Sequence, residues 1–362
     1  PLRLLGLPLL LPALWWQPQR PAHGQFELLA PDGGQGNAVL VRTARHALLY
    51  DAGPRFGPDS DAGDRVLVPL LRARGERPDR LLLSHRDSDH TGGAAAVLAA
   101  HPRAELWGSL EDGHALEAGG ARTVTRCEAG QHWMWDGVRF DVLHPPPGTL
   151  GAQGALQPAG GARDDGTNAA SCVLRITAAA PGGLRRAGPS GGRSQGTRQG
   201  GDGGNGDEEG EDEEEDESMG AGHGPSALLV GDIGQAQEAA LAKAGLLAPA
   251  DVLVVPHHGS RSSSGAALLD AVRPRTAVVQ AGYRNRYGHP APDVLARYVE
   301  RGAQVVDSPW CGAWEWRSDQ PLRWRCERGA ARRYWHHAPP PAWTRAAADG
   351  AGSPRRGAAT RG

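Results

Sequence analysis

Short apolar runs, separated by glycine and polar clusters, set the rhythm of this chain. Residues 26–29, 38–41 and 47–50 are largely apolar and are divided by Gly, Asn and Asp, which predicts a meander of short strands. Apolar positions at helical spacing follow over 66–74. Leu81-Leu82-Leu83-Ser84 then reads as a buried strand and 94–100, after Gly92-Gly93, as a helix. Further on, strands at 227–230, 252–255, 277–280 and 304–306 alternate with helices at 237–246, 265–272 and 293–300. Two Trp-bearing strands, 313–317 and 322–326, close the series. A meander leading into strand and helix alternation predicts an α/β fold with two sheets face to face and helices outside.

Outside this pattern lie three segments. Residues 2–16 are apolar except for Arg3 and end on Trp15-Trp16. A bilayer needs about 20 such residues, so 1–20 reads as the end of a truncated transmembrane helix with its tryptophans at the interface. A signal peptide fits less well, because no small-residue cleavage site follows. Residues 24–337 form the predicted domain, interrupted at 180–224 by a stretch with almost no apolar side chains, strongly acidic from Asp207 to Glu217. Such a stretch cannot offset its ordering entropy by burial and reads as a disordered insertion in a hairpin. The Pro-, Ala- and Arg-rich tail, 338–362, reads the same way.

Charge and cysteines narrow the field. With 39 basic against 41 acidic residues, the chain lacks the global basic excess that marks many nucleic-acid binders, so any such surface must be local. Cys127, Cys172, Cys311 and Cys326 show no Cys-x-x-Cys spacing, which argues against a zinc ribbon. Cys172, in an apolar run, reads as a core residue, and a Cys311–Cys326 disulfide stays open. Near the C-terminus Trp310, Trp314, Trp316, Trp324 and Trp335 interleave with Arg317, Arg323, Arg325, Arg328, Arg332 and Arg333. This is either strand alternation, with Trp buried and Arg exposed, or a stacking surface for single-stranded DNA.

The chemistry concentrates at strand ends. His85-Arg-Asp87-Ser-Asp89-His90 places four metal-capable side chains on one strand-to-helix loop, where they would repel or titrate unless a cation gathered them. Two more apolar runs end in such groups, Gly231-Asp232 and Pro256-His257-His258-Gly259-Ser260. If these ends converge, His85, Asp87, Asp89, His90, Asp232 and His257 or His258 suffice for two divalent cations, with Asp232 bridging. Neighbours on a strand face opposite ways, so one of the two histidines is expected as ligand and the other toward substrate. Asp89, Asp232 and His289 are the catalytic candidates, His289 as a proton donor or phosphate contact. Asn168, Ser171, Ser260 and Asn285 are candidates for substrate binding, although Asn168 and Ser260 could equally cap turns. Asp51 is expected to orient ligands from behind. His144, following a strand, has no defensible ligand spacing.

Asp51-Ala52-Gly53, the His85 to His90 cluster, Gly231-Asp232 and His257-His258-Gly259-Ser260, in that order, resemble the metallo-β-lactamase superfamily. Asp32-Gly-Gly-Gln35-Gly36-Asn37, Asn168-Ala-Ala-Ser171 and Gly282-Tyr-Arg-Asn285-Arg-Tyr-Gly288-His289-Pro290 make the chain similar to one branch, the soluble C-terminal domain of ComEC-type DNA-internalisation competence proteins, over roughly 24–335. The resemblance implies an αββα sandwich and metal-dependent phosphodiester hydrolysis, a nuclease that degrades one DNA strand while the other enters the cell. It implies as partners DNA, the membrane-embedded channel portion of the same protein and the DNA-uptake machinery. The domain would lie on the outer face of the cytoplasmic membrane, attached to a multi-pass protein. The alternatives are a non-catalytic DNA-binding module and another ester hydrolase of the fold, a phosphorylcholine esterase or lactonase. The superfamily commonly has His where Asp87 stands and a third-motif His where this chain reads Asn168-Ala-Ala-Ser171. These harder donors favour two Mn²⁺ ions, with Zn²⁺ or Mg²⁺ as the alternatives.

Overall fold

Strands that are apolar at every position need cover on both faces, and the chain provides it in four layers. The computed structural model describes residues 19–111, 113–116, 123–149, 166–180, 224–334 and 336. All but the edge residues of the expected transmembrane end (1–20) and acidic insertion (180–224), and the whole of the expected C-terminal tail (338–362), lie outside the described residues. No helix among the described residues is long and apolar enough to cross a membrane.

The first sheet is built from β1 (Glu27–Ala30), β2 (Val39–Arg42) and β3 (Ala47–Tyr50), an antiparallel meander. β4 (Arg55–Gly57) and β5 (Ser60–Asp61) form a separate small hairpin. Parallel to β3 run β6 (Arg80–Leu83), β7 (Glu105–Gly108) and β8 (Val124–Arg126). The second sheet starts with the antiparallel β9 (His132–Trp135), β10 (Val138–His144), β11 (Val173–Thr177) and β12 (Ser226–Leu229). It continues in parallel through β13 (Val252–Val254), β14 (Thr276–Val279) and β15 (Gln304–Asp307). The chain then returns to the first sheet with β16 (Trp314–Arg317) and β17 (Trp324–Cys326), giving the order β17-β16-β1-β2-β3-β6-β7-β8.

Side-chain alternation divides each strand between two cores. Leu82 joins Tyr50, Leu174, Leu229 and Val254 between the sheets, while Leu81 and Leu83 point the other way. There they meet α1 (Val68–Arg74) and, beyond the short α2 (Ser88–Thr91), α3 (Ala94–Ala100). On the far side Leu228, Leu253 and Val279 pack under α4 (Gln235–Lys243), α5 (Ala266–Val272) and α6 (Pro292–Glu300). Each fully buried Leu or Val is worth about 1.5–3 kcal/mol relative to exposure. This is the sandwich anticipated from the apolar pattern, and the predicted strands fall within a residue or two of their observed limits.

The Trp and Arg alternation of the last strands resolves as strand periodicity. Trp314, Trp316 and Trp324 are buried between the sheets, whereas Arg323 and Arg325 are exposed. Trp335 lies outside the described residues. Arg328 pairs with Asp32 at 2.6 Å and caps the carbonyls of Ser308 and Pro309. The cysteines pair as Cys127–Cys172 and Cys311–Cys326. Cys172 is a core residue, as expected, and it has a second role. It is fully buried, and it also ties the second sheet to the segment after β8.

One buried carboxyl predicts a pH dependence. Asp307 closes β15 beside Asp32, and its Oδ1 is buried without a hydrogen bond. Burial, helped by the Asp32 charge, pushes its carboxyl up from 3.8 to about 7. A raised folded-state pKa means that the stability associated with the neutral form is complete below pH 3.8 and is lost as pH rises through 7. Asp307→Asn should therefore gain on the parent between pH 4 and pH 8, by on the order of 4 kcal/mol. Urea midpoints of both proteins across that range are the check, and a constant difference would refute the assignment.

Candidate metal centre

All three predicted strand ends meet at one edge of the sandwich. β6 delivers Ser84 and His85 and leads through α2 to His90; β12 delivers Gly231 and Asp232; β13 delivers the turn Pro256–Gly259. Asp89, His90, Asp232 and His258 each place one ligand atom within 4.8 Å of the others. His85 and Asp87 lie beside them, with His85 Nε2 3.6 Å from Asp87 Oδ2 and the His85 and His90 rings 4.1 Å apart. Asp232 stands at the centre, its Oδ1 3.1 Å from His90 Nε2 and its Oδ2 3.6 Å from His258 Nε2.

Hydrogen bonds behind the site decide which nitrogen each histidine presents. His90 Nδ1 lies 2.8 Å from Asp51 Oδ2, and a carboxylate only accepts, so Nδ1 carries a proton and Nε2 faces the cluster. His258 Nδ1 donates in the same way to the Gln280 carbonyl at 2.8 Å. His85 Nδ1 meets Ser84 Oγ at 2.9 Å, and that hydroxyl donates onward to Asp51 Oδ2, also at 2.9 Å. Asp51, at φ 58°, also receives the Ser84 backbone N–H, so the group expected to orient ligands lies directly behind two of them.

Two glycines let the backbones close in. At Gly231 a Cβ would sit 2.8 Å from the Ser84 Cβ, and at Gly36 2.2 Å from the Asp89 carbonyl oxygen.

What remains inside is a set of polar atoms that face only one another, His90 Nε2 toward Asp232 Oδ1 at 3.1 Å and His85 Nε2 toward Asp87 Oδ2 at 3.6 Å, without a hydrogen bond of ordinary geometry. His85 Nε2, His90 Nε2 and Asp232 Oδ1 are buried and make no hydrogen bond, an arrangement that costs free energy unless something else binds them. Burial opposes charge on His90, yet Asp232 and Asp51 hold its imidazole well above its ordinary pKa. Burial likewise pushes Asp232 up, but His90 and His258 hold it well below the carboxylate range. Asp89, despite its burial, is held down to about 2 by its bond to His258 and by His90. Two carboxylates poised against imidazoles fit a divalent cation, which displaces protons from such a set.

Other expectations are corrected. His257 and His258 do not alternate as strand neighbours; both take left-handed φ, 51° and 54°, in the turn after β13. His258 is buried in the cluster, whereas His257 stays at the rim, its Nε2 3.8 Å from Asp232 Oδ2. Ser171, expected to bind substrate, is fully buried and accepts the Asp232 N–H at 3.1 Å, so it holds the Asp232 turn. Asn285 spends its amide within its own loop, donating to Gly282 O and accepting from Tyr287 N–H and His289 N–H. Asn168 is buried in a single turn, Asn168–Ala170, and its Oδ1 faces the Thr167 hydroxyl at 3.5 Å. Ser260 shares a bond with Ser262 Oγ at 3.0 Å. His289 faces His257 with ring centroids 5.9 Å apart, and burial lowers its pKa. His144 lies beneath, bonded through Nδ1 to Ser171 O at 2.8 Å, and is not part of the cluster.

Ser84 and Gln280 carry more of the site than their sequence context suggests. Gln280 receives Ala38 N–H, donates to Pro31 O and Ala38 O, and offers its own carbonyl to His258. The available signal was a lone polar residue directly after the apolar β14.

A family model of the metallo-beta-lactamase superfamily matches residues 31–164. Over 82% of its length the chain is 30% identical to competence protein ComA of Neisseria gonorrhoeae, covering 33% of that protein. It is 29% identical to recombination protein 2 of Haemophilus influenzae over 74% of the chain and 25% of that protein. It is 25% identical to ComE operon protein 3 of Bacillus subtilis over 82% of the chain and 33% of that protein. The chain thus spans about a third or less of the length of these relatives.

Proposed function

The chain carries a metallo-beta-lactamase domain related to competence proteins, and from that premise we propose that it is a metal-dependent phosphodiesterase acting on DNA during uptake. The observation that carries the reading is the buried set of His85 Nε2, His90 Nε2 and Asp232 Oδ1, which lack hydrogen bonds in a cluster of carboxylates and imidazoles. Asp89, His90, Asp232 and His258 would hold one cation and His85 with Asp87 a second, Asp232 lying between them. Divalent cations bound there supply Lewis-acid stabilisation of a phosphoryl oxygen and an activated water at neutral pH. Asp51 and Gln280 keep the ligating nitrogens aimed inward, and Ser171 fixes the Asp232 backbone. His257 and His289 at the rim offer hydrogen bonds to the phosphate. Mn²⁺ is our choice of cation, because carboxylates outnumber what a zinc site ordinarily uses. We further place the domain on the outer face of the cytoplasmic membrane, as part of a longer channel protein that admits one strand while the other is hydrolysed.

A second reading is a module that binds DNA without cutting it. It is favoured by Asn168, which stands where the resemblance leads one to expect a third-motif histidine. Metal analysis of the purified chain, followed by cleavage assays on single- and double-stranded DNA with Mn²⁺, Zn²⁺ and Mg²⁺, separates the two. Turnover that depends on the added cation and stops with EDTA is the expected result. A metal-loaded protein that leaves every phosphodiester intact would reject the nuclease reading, and a protein that takes up no cation would reject it as well; an intact chain that also fails to bind DNA would reject the binding module.

A further inference from the structure

The loop after β14 holds two tyrosines and two arginines outward on a rigid frame. In Tyr283-Arg284-Asn285-Arg286-Tyr287 the central Asn285 binds only its own loop, and Gln35 Oε1 anchors the base by accepting Gly282 N–H at 2.9 Å. Arg284 sits at φ 52°, a left-handed conformation that a non-glycine residue keeps only where its surroundings impose it. Tyr283 is 39% exposed and Tyr287 55%.

These exposures cluster around the metal centre. Four aromatic side chains are strongly exposed among the described residues; Phe56 and Tyr287 belong to segments bordering the site, and Tyr283 opens the same loop as Tyr287, its ring edge-on to Trp310 at 5.6 Å. Phe56 lies on β4, whose neighbours Pro54 and Arg55 pack on Gly92, two residues after His90. The Tyr287 ring stacks on His289 at 13° with centroids 5.9 Å apart, and His289 faces His257 at the cluster rim. The Arg284 and Arg286 guanidinium groups stand 5.2 and 4.9 Å from the centroids of the Tyr283 and Tyr287 rings. Aromatic faces interleaved with cations suit a strand whose bases are free, because bases in a duplex are already stacked on one another.

We propose that the 282–289 loop is a base-stacking platform that selects a single polynucleotide strand, with Tyr283 and Tyr287 taking base faces and Arg284 and Arg286 the neighbouring phosphates. A strand laid over Tyr287 passes His289 and His257 and brings a phosphodiester to the cation cluster. The inference rests on the phosphodiesterase reading and adds the strand state of the substrate. It also moves the stacking surface from the last strands, where Trp314, Trp316 and Trp324 are buried, to a loop at the site itself.

Fluorescence anisotropy with the intact chain in EDTA, so that no strand is cut, tests the platform against a labelled oligothymidylate and a duplex of equal length. The parent should prefer the single strand. Tyr283→Ala and Tyr287→Ala should each weaken that binding about 5- to 100-fold, whereas Tyr283→Phe and Tyr287→Phe should retain it. Arg284→Gln and Arg286→Gln should each reduce the slope of log affinity against log salt by about 0.7. Thermal unfolding confirms that each variant is folded, as expected for exposed positions. Alanine variants that bind with the parent's affinity, or a parent that prefers duplex, would overturn the platform. Hydrolysis of bis(4-nitrophenyl) phosphate by the unaltered chain separates the two levels, since that diester has no base to stack. Its cleavage together with unaffected alanine variants would reject only the platform, and its survival with every cation would reject the phosphodiesterase reading.

Discussion

Asp232→Ala should reduce metal-dependent phosphodiester turnover by at least about 1,000-fold while leaving the fold intact. Among the described residues Asp232 is the one carboxylate that approaches His90, His257 and His258 together, so its loss removes both the proposed bridge and the charge that balances two imidazoles. The scaffold does not depend on it. His90 stays bound to Asp51, and His258 to Asp89 and the Gln280 carbonyl. Metal content, turnover and near-ultraviolet circular dichroism, measured on one preparation, distinguish loss of chemistry from loss of structure. Turnover retained by a folded Asp232→Ala protein would rule out a bridged pair of cations.

Arg42→Ala should lower stability by about 3–5 kcal/mol, which in a chain of this size corresponds to a melting temperature lower by about 10 °C. Arg42 has a side chain only 2% exposed, and it joins Glu27 at 2.9 Å and Glu76 at 2.8 Å. Arg20 also pairs with Glu76, and Arg74 approaches Glu27 at 3.8 Å. Removing the central guanidinium leaves two buried carboxylates with weaker partners, and that desolvation penalty is the source of the loss. Adding Glu27→Gln and Glu76→Gln should recover a large part of it, because neutral amides tolerate burial better than carboxylates. Metal affinity should not change. Arg42 pairs with Ala47 at the start of β3, whereas Asp51 and the metal centre lie beyond its other end. A variant as stable as the parent in urea would show that Arg20 and Arg74 suffice.

The strands were legible because burial on both faces leaves no room for polar residues. Leu81-Leu82-Leu83, for example, serves two cores at once and could hardly read otherwise. β7 to β9 were not legible as strands, and β10 only as the strand that ends at His144; in β9 and β10 the more open faces admit His132, Arg139 and Asp141 among apolar residues. Pairing of Cys127 with Cys172 was not legible either, because it joins positions 45 residues apart whose distance depends on how the sheets stack.

At the site the division has the same origin. Residue type and order along the chain were enough to identify strand ends bearing His85, Asp87, Asp89, His90, Asp232 and the His257-His258 pair, because metal chemistry restricts the donors and local periodicity locates the ends. Which histidine turns inward, and whether Ser171 and Asn285 face a substrate or the protein, depended on contacts between segments remote in sequence. His258 is selected by a carbonyl on the neighbouring β14 strand's exit, Ser171 is claimed by the Asp232 backbone, and Asn285 by its own loop. Local composition specifies which groups are available, but a hydrogen bond is made with whatever the packed fold brings near, and only the tertiary structure determines that.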